Sequence, residues 1–320
     1  MRLSRLITVI PVYNGERFLE ATLESLARQT RRPDQVIVID DCSTDCTGAL
    51  VNSFEEIPCE LVRNEQNLGL FPNLNRALSY ADQAEYFHLL LADDLVRPEF
   101  LETLERTLAD SPAPSMAYCN YDWIDAEGTV TQEGGKASSG RATSIQVDDF
   151  LYRQCLLKTI SVGSALIRSG GAPLPVNFRG DMPHVADCVF YAELASASHQ
   201  VFEWPEALCE IRRHDQNATR RNTKNLNAWV TDEFRAMQRI SRLLPLRGWR
   251  SRLHDHRLKC LFAARSRVKQ QWTRKEDPNY AAQIGAIVAR ETSLIHRILG
   301  GAAVGARDLI FGRNLPDRPR

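Results

Sequence analysis

The amino-acid sequence predicts an α/β fold: a mostly parallel sheet flanked by helices, continued by a helical C-terminal extension. Three observations carry this. Strand-length apolar runs alternate with amphipathic helical patterns through roughly the first third of the 320 residues, the order that builds parallel sheets with right-handed crossovers. Two of those runs end in adjacent carboxylates, Asp40-Asp41 and Asp93-Asp94, and in an open α/β sheet the carboxyl ends of strands face ligands. From about Asn225 onward only helical periodicity appears, so the chain divides into residues 1–223 and a basic helical region, 224–320.

Leu6–Val12 reads as a buried strand closed by Tyr13-Asn14-Gly15, which is turn chemistry. Glu16–Gln29 follows as a helix with Phe18, Leu19, Leu23, Leu26 and Ala27 on one face, and Gln35–Ile39 is the second strand. Beyond Asp40-Asp41, Ser43 or Thr44 can cap the next helix. Glu60–Arg63 is a third strand, Asn64–Gly69 a loop, and Phe71–Ala81 a helix carrying Asn73, Asn75 and Arg76. Tyr86–Leu91 is a strand buried on both faces, placing Asp93-Asp94 directly at its end, and Pro98–Ala109 is the helix that follows.

Met116–Trp123 is strand-like, and the polar stretch from the Asp125–Gly128 turn to Thr143 is either a mobile loop over a site or a surface hairpin. Asp148–Leu157 reads as a helix, Ile160–Ile167 as a strand containing Gly163-Ser164, Pro173–Pro183 as a loop, and Val185–Ala197 as a helix with Asp187 near its start. Two strands, Gln200–Glu203 and Ala207–Arg213, lead into a polar stretch through Thr219. Leu226–Leu244, Trp249–Trp272 and Tyr280–Leu299 make two or three long helices that complete the chain, with a loosely ordered end from Gly300.

The hydrophobic fraction, 43%, is that of an ordinary globular protein. The N-terminal residues run straight into a strand with no signal-peptide pattern, and no apolar run reaches membrane-spanning length, so the expectation is a cytoplasmic protein, at most peripheral to the inner face of the plasma membrane. Eight scattered cysteines, with no second Cys/His pair to match Cys42 and Cys46, read as free thiols rather than a zinc site. A net charge of zero hides an asymmetry: Arg247–Lys275 holds ten Lys or Arg against one acid, Asp255, so that segment is +9 and the remainder −9.

Taken in order, seven stretches resemble the family 2 glycosyltransferases, inverting enzymes of the GT-A fold that use nucleotide-diphosphate sugars. They are Val9–Asn14; Val38–Asp45; Asn67-Leu68-Gly69 with Asn75-Arg76-Ala77; Ala92-Asp93-Asp94; Gly163-Ser164; Ala186–Phe190; and Arg212-Arg213-His214. The resemblance spans roughly residues 5–220. It implies that Pro11, Tyr13 and Asp41 bound a base pocket, that Asn67, Arg76 and Asp93 help hold the nucleotide sugar, and that Asp94 binds the Mg²⁺ or Mn²⁺ bridging its phosphates, with His214 helping. A carboxylate at 41 can accept from the ring N–H of uracil or thymine, which favours UDP- or dTDP-sugars. The chain departs from the family at Cys42, where many members have Gly, and at Ala92, where many have a further acid. Fewer ligands imply weak affinity for metal without nucleotide.

Inverting transfer needs the leaving diphosphate stabilised and the acceptor hydroxyl deprotonated, and a positioned carboxylate supplies roughly 10²–10⁴ in rate as general base. Asp187 matches the family's base position, although Asp also caps helices, and Asp181 in the preceding loop is a rival. Gly163 and Ser164 are assigned to the acceptor side, Gly allowing close approach and Ser offering a hydroxyl.

The basic segment 247–275 interleaves Leu258, Leu261, Phe262, Val268 and Trp272 with Arg257, Lys259, Arg265, Arg267 and Lys269. That pattern suits either an amphipathic helix on an anionic membrane, with a lipid-linked or other glycan acceptor, or a helix packed on the acidic body or on a second subunit of a homo-oligomer. No motif supports nucleic-acid binding. A nucleotidyltransferase would carry a Gly-rich basic loop after the first strand, and Asn14-Gly15-Glu16 is not one. A non-catalytic homologue acting as an interaction protein would keep Asp41 but could lose Asp94 or Asp187, and both are present.

Overall fold

The structure is a computed structural model describing residues 5–135, 140–158, 160–215 and 225–305. It forms two compact units. The first comprises the described residues of Met1–Val147, Ile160–Phe178 and Glu193–His214, and the second those of Asp148–Thr159, Arg179–Ala192 and Asp215–Arg320. The expected boundary at 223/224 and the chain end beyond Gly305 lie outside the described residues. The second unit also takes in two stretches from earlier in the chain.

The first unit is built on one mixed sheet. Its strands are β1 (Leu6–Val12), β2 (Gln35–Asp40), β3 (Cys59–Arg63), β4 (Tyr86–Leu89), β5 (Leu95–Val96), β6 (Ser115–Ile124), β7 (Val130–Gln132), β8 (Thr143–Ile145), β9 (Ala165–Arg168) and β10 (Gln200–Arg212); eight run in the order β3-β2-β1-β4-β9-β6-β10-β5, with β7 paired to β6 and β8 to β10 off this path. β1, buried along its whole length, pairs in parallel with β2 and β4, and β2 with β3. The parallel expectation therefore holds in the first third. Beyond it, β9 lies antiparallel between β4 and β6, while β10 pairs in parallel with β6.

Helices α1 (Leu19–Ala27), α2 (Thr47–Ser53), α3 (Leu70–Leu78) and α4 (Phe100–Leu108) cross over between these strands. α1, α3 and α4 are each shorter than their periodicity predicts. Leu19, Leu23, Leu26 and Ala27 meet Leu6, Ile10, Val38, Phe100 and Leu104 in the core of the unit, whereas Phe18, at the N-cap, is only partly buried and packs on the His214 ring.

Four local differences have physical causes. β4 stops at Leu89, and Ala92–Asp94 turn back over Leu91, whose carbonyl accepts from Asp94 N at 3.3 Å. Residues 162–164 form a 3-10 turn before β9 because Ser164 N and Oγ both donate to Ser161 O. The two strands expected around Pro205 are one, β10, which absorbs that donorless residue in register shifts between Trp204 and Cys209. The segment after Gly128 begins as a hairpin, β7 pairing back on β6, and residues 136–139 are outside the described residues.

The second unit is helical: α5 (Val147–Cys155), the first half of α6 (Ala186–Ala197), α7 (Asp232–Ser241) after a π-turn at Asn227–Thr231, α8 (Gly248–Thr273), α9 (Pro278–Glu291) and α10 (Leu294–Gly305). Asp277 caps α9 by accepting from Tyr280 N at 2.9 Å, with Pro278 in the first turn. The single helix expected to Leu299 breaks at Thr292, which is extended. Phe234 stacks on Phe262 with centroids 4.4 Å apart. Beside them Glu233 is buried between Arg265, at 3.1 Å, and Lys269, at 2.8 Å, so two of the basic residues in 247–275 belong to the core rather than to a surface.

Candidate functional site

Parallel pairing of β1 with both neighbours sends the residues after Val12, Asp40 and Leu89 to one edge of the sheet, and the loops there are bonded together. Asn14, at φ +52°, donates its N–H to Ser43 Oγ at 2.9 Å and accepts from Thr44 N at 2.9 Å. Gly15 N donates to Thr47 Oγ1 at 2.8 Å, and a Cβ on Gly15 would run into Val12 Cγ2. Cys42 sits at φ +62°, the left-handed region, which is the physical reason that glycine suits this position.

The first acid pair divides its work. Asp40, fully buried, accepts from Arg63 Nη1 at 2.7 Å and from Ser43 N at 2.9 Å, fixing the turn. Asp41 accepts from Asn64 Nδ2 at 2.6 Å and Leu68 N at 2.8 Å on Oδ1, and from Gly69 N at 2.8 Å on Oδ2. Asn64 is itself held by Asn73 and Arg76. Asp41 thus orders the Asn67–Gly69 loop. A carboxylate takes about four hydrogen bonds, so Oδ2 keeps room for one more donor. Pro11 is buried in β1 opposite Ile39, Tyr13 is 51% exposed beyond it, and Asn67 is exposed.

The second pair is clamped from two directions. From α1, the Thr22 hydroxyl lies 3.1 Å from Ala92 O and 3.0 Å from Asp94 O. From the end of β10, Arg212 donates its N–H to Asp94 Oδ1 at 3.0 Å and Nε–H to Asp93 O at 2.9 Å, while Nη1 bonds Asp125 O and Ala126 O. His214 Nε2 lies 3.0 Å from Asp93 Oδ2, and its ring packs on Phe18 at 4.7 Å. Asp94 is 2% exposed, and its Oδ2 is buried with no partner among the described residues. Burial and the neighbouring Asp93 charge push this carboxyl well above the usual range, which a cation at Oδ2 would reverse. The donor set fits a divalent ion whose other ligands come from a diphosphate. No cluster of three or more His, Cys, Asp or Glu able to hold a metal occurs among the described residues.

Gly163 and Ser164 are buried. Gly163 O lies 3.0 Å from His88 Nε2, and a Cβ at 163 would lie 2.8 Å from Leu90 Cδ1, so the close approach that requires glycine is to the core. His88, whose Nδ1 is 3.2 Å from Thr8 Oγ1, is driven down to about 4 by burial and is neutral.

Asp187 belongs to the second unit. Its Oδ1 accepts from Cys188 N at 2.8 Å within the first turn of α6, and although part of the residue reaches solvent, burial pushes the carboxyl up to about 7. Asp181, by contrast, is exposed and paired with Arg235 at 3.1 Å. Sequence reasoning assigned no role to Thr22, Asn64 or Arg212. The Arg212-Arg213-His214 motif was the one available signal, and it does not say that the arginine's backbone holds the acid.

Comparison with known proteins bears on the family and the fold. The Glycosyl transferase family 2 model matches residues 8–168, half of the chain. Streptococcus pneumoniae glycosyltransferase GlyG is 30% identical over 128 residues, covering 38% of this chain and 42% of its own. The chain spans less than half the length of the first curated relatives it matches. Among solved structures, S. aureus TarS 1-349 in complex with UDP-GlcNAc superposes with a TM-score of 0.64 at 16% identity, covering 98% of this chain and 82% of its own. The mannosyltransferase PcManGT from Pyrobaculum calidifontis, in complex with GDP-Man and Mn²⁺, gives 0.56 at 18% identity, covering 96% and 81%. At these identities the likeness shows a shared fold.

Proposed function

The chain belongs to glycosyl transferase family 2, and on that premise we propose that it moves a sugar, with inversion, from a nucleoside-diphosphate sugar to a hydroxyl of a glycan or lipid-linked saccharide. The observation that carries the reading is the buried, unpartnered Oδ2 of Asp94 on the sheet edge that also bears Asp41. Solved structures of the same fold hold UDP-GlcNAc, or GDP-Man with Mn²⁺, and relatives are named for succinoglycan and teichuronic acid biosynthesis, which supports an acceptor in polysaccharide assembly.

In this reading Asp41 uses its remaining acceptor position for a base N–H, which favours uracil or thymine over bases that offer acceptors there. Tyr13 supplies an exposed ring beside it, and Asn67 and Arg76 border the nucleotide. Asp93, held by His214, faces the ribose or the donor sugar. Asp94 would hold Mg²⁺ or Mn²⁺ together with the diphosphate. Bound there, the cation offsets the charge that develops on the departing diphosphate. Asp187 accepts the proton of the attacking hydroxyl, a role favoured by a carboxyl raised to about 7, near the working pH of a general base.

Calorimetric titration of UDP, dTDP and GDP with and without Mn²⁺ tests the donor half. The expected result is at least about tenfold tighter binding of UDP or dTDP with metal, about 1.4 kcal/mol, and loss of that difference in Asp94→Asn. Equal affinity with and without metal in the unaltered protein overturns it. A donor-hydrolysis screen over UDP-, dTDP- and GDP-sugars then identifies the sugar.

A further inference from the structure

The helical unit carries an apolar face that the catalytic reading does not use. In α10, Leu294, Ile295, Ile298 and Leu299 are 62, 67, 60 and 54% exposed. Their spacing puts all four on one side of the helix. The opposite side is committed to α8. Ser293 N–H and Oγ both lie on His296 Nδ1, which leaves Nε2 to carry the ring proton and donate to His256 Nδ1 at 2.8 Å. One turn on, Gly300 is packed so closely that a Cβ there would lie 2.6 Å from Cys260 O. The contacts advance by four residues on both helices, so α10 runs parallel to α8, and its outward face is not a misplaced inner one.

Trp249 and Leu253, 69 and 42% exposed, precede His256 at helical spacing on the same stripe of α8. They extend the apolar surface past the first turn of α10. At the start of α8 the charges without an opposite partner are of one sign. Arg247, Arg250, Arg252 and Arg257 are exposed, and none has a carboxylate partner among the described residues, whereas Asp255, the one acid in this part of α8, is paired with Lys259 at 2.7 Å.

We propose that this face, the start of α8 together with α10, docks on the surface of an anionic phospholipid bilayer. Isoleucine and leucine would enter the boundary between headgroups and acyl chains, the Trp249 ring would sit at headgroup level, and the arginines would meet lipid phosphates. A second copy is the less suitable occupant: a two-fold interface would set the same arginines against each other, with Asp255 already paired to Lys259. Among the described residues no helix is long and apolar enough to cross a membrane, and this surface needs none.

Co-sedimentation of the whole protein with vesicles of phosphatidylcholine, alone or mixed with phosphatidylglycerol, tests this. Binding should require the anionic lipid and weaken in high salt. Ile295→Asp with Ile298→Asp should lower the partition coefficient at least about tenfold, and Arg250→Gln with Arg252→Gln roughly fivefold per arginine. Both pairs are exposed, so thermal melting should stay as in the unaltered protein, separating lost binding from lost folding. Three results would each overturn the proposal: equal binding to neutral and anionic vesicles, undiminished binding by the isoleucine variant, or a dimer in solution that the isoleucine variant turns into a monomer.

Discussion

At Asp187, burial lifts the carboxyl to about 7, so in the proposed base role transfer should rise with pH up to about 7 and level off above it. Asp187→Asn should cut kcat by roughly 10²–10⁴ while nucleotide affinity is kept; equal loss of both would make it a scaffold residue. The same shift has a stability sign. The folded state keeps this proton between about 3.8 and 7, so its contribution weakens as pH rises through that window, and Asp187→Asn should gain on the unaltered protein between pH 5 and 8 in urea midpoints. Glu233 behaves oppositely. Burial raises it, but Arg265 and Lys269 outweigh burial and hold it at about 2, so its contribution is present above about 4.5 and lost as pH falls toward 2. Glu233→Gln removes the buried negative charge that faces Arg265 and Lys269 and should cost about 3–5 kcal/mol in denaturant unfolding. Asp41, Asp93, Asp94 and Asp187 are nameable from sequence because their motifs are contiguous. The donors that hold them, Asn64, Leu68 N, Thr22 and Arg212 N, are not, since backbone groups and distant hydroxyls leave no pattern in a residue string.

Among the elements, strand and helix cores follow directly from periodicity, as in β1, whose bounds agree with its apolar run. Ends are another matter. The run Tyr86–Leu91 is apolar throughout, yet ladder pairing ends at Leu89, and Asp94 reaches its place through a turn that Thr22 and Arg212 secure. The break before α10 was equally invisible, because Thr292 and Ser293 are tolerated in helices; what decides it is the Ser293–His296–His256 chain. That contact yields a prediction for the element. Gly300→Val would drive side-chain atoms into the backbone of α8 at Cys260 and Ala264, and should cost about 1–3 kcal/mol and detach α10. Hydrogen exchange should then show the amides of α10 losing protection while β1 keeps its own.

On the scale of the molecule, the four parallel strands β3-β2-β1-β4 were legible because crossover helices join them in the chain. The antiparallel insertion of β9 was not, since a four-residue apolar strand reads the same in either direction. The division into units was also hidden: Asp148–Thr159 and Arg179–Ala192 belong with the C-terminal helices because of what they pack on, not because of composition. One feature of this layout reaches beyond the finished protein. Asp94 takes its position from Arg212, 118 residues later in the chain. During synthesis the early strands can therefore pair and bury their side chains long before the ribosome has delivered the residue that aims Asp94. A nascent chain halted before β10 would be folded in part yet inert toward activated sugars, and competence would arrive only with the last strand.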